Sequence, residues 1–194
     1  MVAGHFGFAA GVKTTEPSAP LWALMLATVW LDVVFVPLFA AGIETLGPVA
    51  GTRGGYGNVI IHADYTHSLV GAAVLAVLFG FAAALPWGRR VGIVLGAMVF
   101  SHWLLDLIVH RGDMPVLPAN AGGLPRLGFG LWRVPAAPIA AELALVIVGS
   151  LLYWRAARQV VRTASAADER RARLLAALIA VSGIATLALD VLVG

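Results

Sequence analysis

The chain has 194 residues, of which 60% are hydrophobic and 12% charged, and its mean hydropathy is +0.91. That balance excludes an ordinary soluble enzyme and predicts a single integral membrane domain over residues 1–194. The net charge of +3 is modest, and the absence of cysteine excludes disulfides and thiolate ligands.

Any bound metal must therefore be held by nitrogen and oxygen. The basic residues sit mainly in the connections, where they report topology rather than nucleic-acid binding. No cleavable signal peptide is expected, because the N-terminus lacks a basic leader and His5 interrupts its apolar run.

A spanning helix needs about 20 mostly apolar residues. The opening run, Met1 to Val12, reaches only about 18 Å at 1.5 Å per residue and predicts a partial helix packed against the others. Leu21 to Ile43, Leu69 to Leu85, Val91 to Val109, Ile139 to Trp154 and Leu174 to Val193 each predict a span. The expected fold class is all-α: a polytopic membrane helix bundle of about five spanning helices plus a short N-terminal helix. The connections Glu44 to Thr66 and Arg111 to Ala137 are long and rich in Gly and Pro. Those near Lys13 and over Trp87 to Arg90 are short.

Arginine sets the expected orientation. Arg155, Arg158, Arg162, Arg170, Arg171 and Arg173 lie between the last two apolar segments, and Arg89 and Arg90 lie in the Trp87 to Arg90 turn. The positive-inside rule assigns these to the cytoplasm. The opposing loops carry Arg53, Arg111, Arg126 and Arg133, fewer per residue of loop. In a bacterium, the long loops then face the periplasm from a multi-pass protein of the inner membrane.

On that topology all five histidines fall at one membrane face. His5 opens the N-terminal run, and His62 and His67 precede the Leu69 segment. His102, Asp106 and His110 occupy the outer half of the Val91 segment. Asp113 lies just beyond it, Glu142 is one turn into the Ile139 segment, and Asp32 is the deepest member.

In "SHWLLDLIVH", residues 102, 106 and 110 are four apart, so they share one helix face. Two imidazoles flanking a carboxylate suit zinc first, with iron and manganese as alternatives. An intramembrane carboxylate such as Asp106 costs roughly 3 kcal/mol unless paired or liganded. His5, Asp32, His67, His102 and Asp106 are expected to converge on one centre.

Blander roles stand beside these. His110 could be an interfacial cap, His102 a hydrogen-bond partner of another helix, His62 a solvated loop residue and His5 a helix-start residue. Thr66 and Ser68 could cap the helix that follows. Asp64 could orient an imidazole or simply turn the chain. Glu142 could be a general base, a ligand or an interfacial residue, and Trp103 is expected to pack.

Three short motifs carry a resemblance. "GH" at Gly4 and His5, "HADYTHS" at His62 to Ser68 and "SHWLLD" at Ser101 to Asp106 resemble the YdjM-like family of bacterial inner-membrane metal-dependent hydrolases. The match spans about the first 115 residues. Where that family has a Pro-Asp-x-Asp-His cluster, this chain has Asp32 followed by Val33 and Val34. Either His110 and Asp113 substitute for the missing ligands, or the site holds one metal rather than two.

The resemblance implies a divalent-metal hydrolase with ligands among His5, Asp32, His62, His67, His102, Asp106 and His110. Glu142 or Asp113 would accept a proton. The placement at the outer face suits a lipid or amphiphilic substrate carrying phosphate, its headgroup held by Arg111, Arg126 or Arg133. The competing readings are a metal-ion or proton transporter using the same cluster, a bis-histidine haem protein and a structural membrane subunit.

Overall fold

The computed structural model describes residues 1–52, 56–134, 136–161 and 166–193. Arg53 and Arg162 lie outside the described residues, as does the side chain of Arg171. The described chain is mostly helical. In order it forms α1 (Val2–Val12), α2 (Leu21–Thr28), α3 (Trp30–Ala40), strands β1 (Thr45–Pro48) and β2 (Val59–His62), α4 (Leu69–Val109), α5 (Ala136–Val161) and α6 (Ala166–Val193).

The expected count of about five spans is not supported. Two helices, α4 and α5, are long and apolar enough to cross a membrane, and α2 with α3 makes a third only if the bent pair is one span. The apolar segment expected over Leu21 to Ile43 breaks at Val29 (φ −118°, ψ 14°), where the two pieces meet at a bend of 49°. In α6 the apolar stretch is short, Arg173–Leu189.

The two expected segments within α4 are the arms of one hairpin. Gly88, at φ 82° and ψ 164°, is not helical, and Pro86 precedes it. A Cβ on Gly80 would lie 2.8 Å from the Gly92 carbonyl oxygen. Twelve residues of unbroken helix would separate those positions by about 18 Å, so the chain has turned back on itself. Small residues let the arms meet: a Cβ on Gly96 would stand 2.9 Å from the Ala76 carbonyl oxygen.

The α1–α5 contact uses the same device, since a Cβ on Gly7 would lie 2.4 Å from the carbonyl oxygen of Leu145. The main core joins Leu24, Ala27 and Leu31 to Leu95, Met98, Val99 and Trp103. The outer surface of α4 is strongly apolar; Phe81 is 70% exposed. A soluble surface does not carry such a patch without a covering layer, and a bilayer supplies one.

The two long connections are built structures. β1 and β2 pair antiparallel, with Thr45 opposite His62. The second connection packs on the start of α4, where Leu69 and Val70 donate to the carbonyls of Pro115 and Val116 at 3.0 and 3.1 Å. At the far end of the helices, buried Glu16 accepts from Arg90 Nε at 2.6 Å and from the Ser18 hydroxyl.

Candidate metal centre

Four elements bring their polar residues to one point. His5 comes from α1, Asp32 from the first turn of α3, His67 from the turn before α4, and His102 and Asp106 from the second arm of α4. His110 caps that arm. The break at Val29 matters here. It ends α2 at Thr28, whose carbonyl loses its partner in the helix and accepts from His102 Nδ1 at 2.8 Å. The same break starts α3 two residues before Asp32.

Asp106 is the hub. His5 Nε2 lies 3.1 Å from its Oδ1, whereas the Nε2 atoms of His102, His110 and His67 lie 3.1, 3.6 and 3.7 Å from its Oδ2. Asp32 Oδ1 lies 3.5 Å from His67 Nε2 and 3.6 Å from His102 Nε2. The His5 and His102 rings stack at 3.9 Å. The His5, His67, His102, His110 and Asp106 side chains are buried, but that of Asp32 is 40% exposed. The cluster therefore opens to its surroundings past Asp32.

Hydrogen bonds fix which nitrogen carries each proton. A carbonyl only accepts, so His102 donates from Nδ1 to Thr28 and, when neutral, turns a bare Nε2 inward. The Thr66 hydroxyl contacts both oxygens of Glu44 and lies 2.9 Å from His67 Nδ1. Its proton goes to the carboxylate, so it accepts from His67, whose Nε2 is then also bare. Yet the His67 and His102 Nε2 atoms are 3.3 Å apart. Two lone pairs at that distance repel unless a proton or a metal ion lies between them.

The spacing suits a metal. Neighbouring ligand atoms around an ion bonded at about 2.0–2.2 Å stand roughly 3.0–3.6 Å apart. Five contacts link His67 and His102 to each other and to Asp32 and Asp106, at 3.1, 3.3, 3.5, 3.6 and 3.7 Å, the last just beyond that range. Two triads among the described residues could hold an ion: His5, His102 and Asp106, and Asp32, His67 and His102. They share His102, which has one inward nitrogen, so the geometry fits one ion better than two.

Other candidates have different roles. His62 is exposed on β2 and belongs to neither triad. Asp113 accepts from His110 Nδ1 at 2.8 Å and from the Ile61 amide at 2.9 Å, so it orients His110 instead of facing the centre. Burial pushes the Asp113 carboxyl up, but these bonds outweigh it and hold the pKa below the usual value.

Glu142, expected as a base, is fully buried with both oxygens engaged. One takes the Gly4 amide of α1 at 3.1 Å, the other the Tyr56 hydroxyl at 2.6 Å. It anchors the helix that carries His5.

The arginines mostly tie loops together. Arg111 bonds the carbonyls of Gly57 and Trp132 at 2.7 and 2.8 Å. Arg126 makes a fork to Asp64 at 2.7 and 2.9 Å and bonds the Asp113 carbonyl; its pKa is raised by the Asp64 hydrogen bond. Asp64 thus holds a loop and not an imidazole. Arg133 is exposed, with one bond to the Arg111 carbonyl.

Ser68 caps α4 by accepting from Gly71 at 3.0 Å, while Thr66 serves His67 instead of a cap. Trp103 packs, as expected, and its indole donates to the His67 carbonyl at 2.9 Å. Thr28 and Glu44 were missed from sequence. Nothing in "ATVWLD" marks a break, since it has neither Gly nor Pro; Gly42 just before Glu44 did signal a helix end.

Comparison with known proteins finds no matching family model, no matching curated protein and no matching solved structure.

Proposed function

We propose that the chain is a membrane-embedded metal-dependent hydrolase acting on a lipid or amphiphilic, phosphate-containing substrate. Its site opens at the outer face of a bacterial inner membrane. The observation that carries this reading is the inward Nε2 pair of His67 and His102, 3.3 Å apart and flanked by Asp32 and Asp106. A single proton satisfies one such pair; the two imidazoles with the Asp106 carboxylate match a divalent ion, and Asp32 stands beside them. Zinc is the first choice, with iron and manganese as alternatives.

When bound, the metal supplies Lewis acidity and lowers the pKa of a coordinated water to about 7. His67, His102 and Asp106 would hold it, with His110 beside them. Asp32, the one partly exposed member, meets the incoming substrate and is the carboxylate best sited to take a proton from water. His5 holds Asp106 from its other oxygen. Arg133 is the arginine with most freedom to meet a headgroup.

The amphiphilic substrate is supported by an apolar cavity of about 260 Å³ beside Thr66, lined by Val34, Val70, Val74 and Leu75. The resemblance of "GH", "HADYTHS" and "SHWLLD" to the YdjM-like family supports the same chemistry. The arms of α4 as separate crossings would give the multi-pass topology that the arginine bias implies. Transport is less favoured, because the core beneath the cluster is Leu24, Ala27, Leu95, Met98 and Val99.

Elemental analysis of purified wild-type and His102→Ala protein tests the centre. Wild type should carry about one metal per chain and the variant none. A lipid phosphodiester and a soluble one, offered side by side, test the reaction; turnover of the lipid is expected. Metal crossing sealed proteoliposomes in a His102-dependent way, with no hydrolysis, would replace this reading with the transporter.

A further inference from the structure

Glu44 is fully buried, although its neighbours Ile43 and Thr45 are exposed. The end of α3 puts it there. Gly42, at φ +69°, lets the Ile43 amide bond back to Leu38 at 2.9 Å, which turns the chain and sends Glu44 inward. Its Oε1 accepts the amides of Tyr65 and Thr66, both at 2.8 Å. Its Oε2 faces the Thr66 hydroxyl at 2.9 Å, and that hydroxyl lies 2.9 Å from His67 Nδ1.

We propose that Glu44 is a positioning residue for the centre. Through the Thr66 hydroxyl it fixes His67 with its proton on Nδ1 and a bare Nε2 toward the ion. The inference rests on the reading that the cluster holds a divalent cation. The hydroxyl has one proton, and a carboxylate only accepts, so that proton belongs to Glu44. The oxygen's free lone pair then takes the Nδ1 proton of His67. The reverse tautomer would leave Glu44 Oε2 against an oxygen lone pair, and would put a proton on Nε2 where the ion must bond. Carboxylate, hydroxyl and imidazole thus form a chain in which each proton has one place. Partners of this kind hold a ligand's tautomer and raise its basicity.

Two variants separate positioning from folding. Thr66→Val keeps the Glu44 bonds to both backbone amides and removes only the bridge. Thr66→Ser keeps the bridge. Zinc titration of the full chain in detergent should show affinity reduced about 10–100-fold in Thr66→Val and unchanged in Thr66→Ser. Nitrogen NMR of ring-labelled histidine, on metal-free protein at alkaline pH, should show His67 protonated at Nδ1 in wild type. In Thr66→Val that preference should be lost.

Wild-type zinc affinity in Thr66→Val, or a wild-type His67 protonated at Nε2, overturns the proposal. If Thr66→Val does not fold, the wild-type NMR measurement decides alone. Wild type that binds no zinc would sink the metal reading, and the tautomer would still report on Glu44.

Discussion

The two ends of the α4 hairpin hold the same pair of arms by opposite means. Near the turn, Gly80 meets Gly92 and Ala76 meets Gly96, with backbone against backbone and no side chain between. At the mouth, His67 and Trp103 bridge the arms, and the His67 and His102 rings face each other. The contact between the arms at the turn end needs only close approach, which dispersion rewards. The mouth collects buried imidazoles and carboxylates that are costly to desolvate unless something charged joins them.

The largest expected effect comes from removing His102, which both candidate triads share. His102→Ala should lower zinc affinity by more than the roughly 10–100-fold that losing an outer partner costs. Circular dichroism should show helical content unchanged. A variant that keeps wild-type zinc would break the comparison. The converse variant is Gly92→Val, whose Cβ would lie 2.5 Å from the Gly80 carbonyl oxygen and 2.6 Å from Ala84 Cβ. Overpacking there should cost about 1–3 kcal/mol or more. It should lower the thermal midpoint in detergent, while the molecules still folded bind zinc at wild-type stoichiometry.

The two ends also differ in what the sequence told of them. Helical spacing put His102, Asp106 and His110 on one face, and an intramembrane carboxylate demanded partners, so the mouth's cluster was visible. Which oxygen or nitrogen faces which was not, because tautomers depend on long-range contacts such as Thr28 and Glu44. The break in α2–α3 was hidden because apolar residues run on without punctuation. Leu21 to Ile43 is continuous in hydropathy, yet the backbone breaks at Val29 to let Thr28 reach His102. For Glu142 the sequence left base, ligand and interfacial residue open, because it shows a carboxylate near the cluster but not the Gly4 amide and Tyr56 hydroxyl that engage it.

Glu142→Gln separates the anchoring role from the base with a smaller effect. The amide oxygen can still accept from Gly4, but a charge-assisted acceptor is lost beside Tyr56. A cost of about 0.5–1.5 kcal/mol is expected in denaturant unfolding, with zinc content unchanged. If the residue were a proton acceptor in hydrolysis, the variant would instead fold as wild type and lose about 10²-fold or more in rate.

The smallest effect should come from the ion pair at the turn end, where Glu16 meets Arg90 and Ser18. Hydrogen bonds from Ser18 and then Arg90 lower the Glu16 pKa from its ordinary value. A carboxylate whose pKa is lower folded than unfolded adds stability above the unfolded value of about 4.3 and loses it as pH falls through the folded one. Glu16→Gln lacks that contribution at every pH. The wild-type thermal midpoint should therefore exceed the variant's slightly at neutral pH, and the gap should close on acidification below about pH 4. The Arg90 side chain is 79% exposed, so salt should narrow the gap as well. A gap that widens in acid would mean that folding raises the Glu16 pKa, so that the bonds from Ser18 and Arg90 do not outweigh its desolvation.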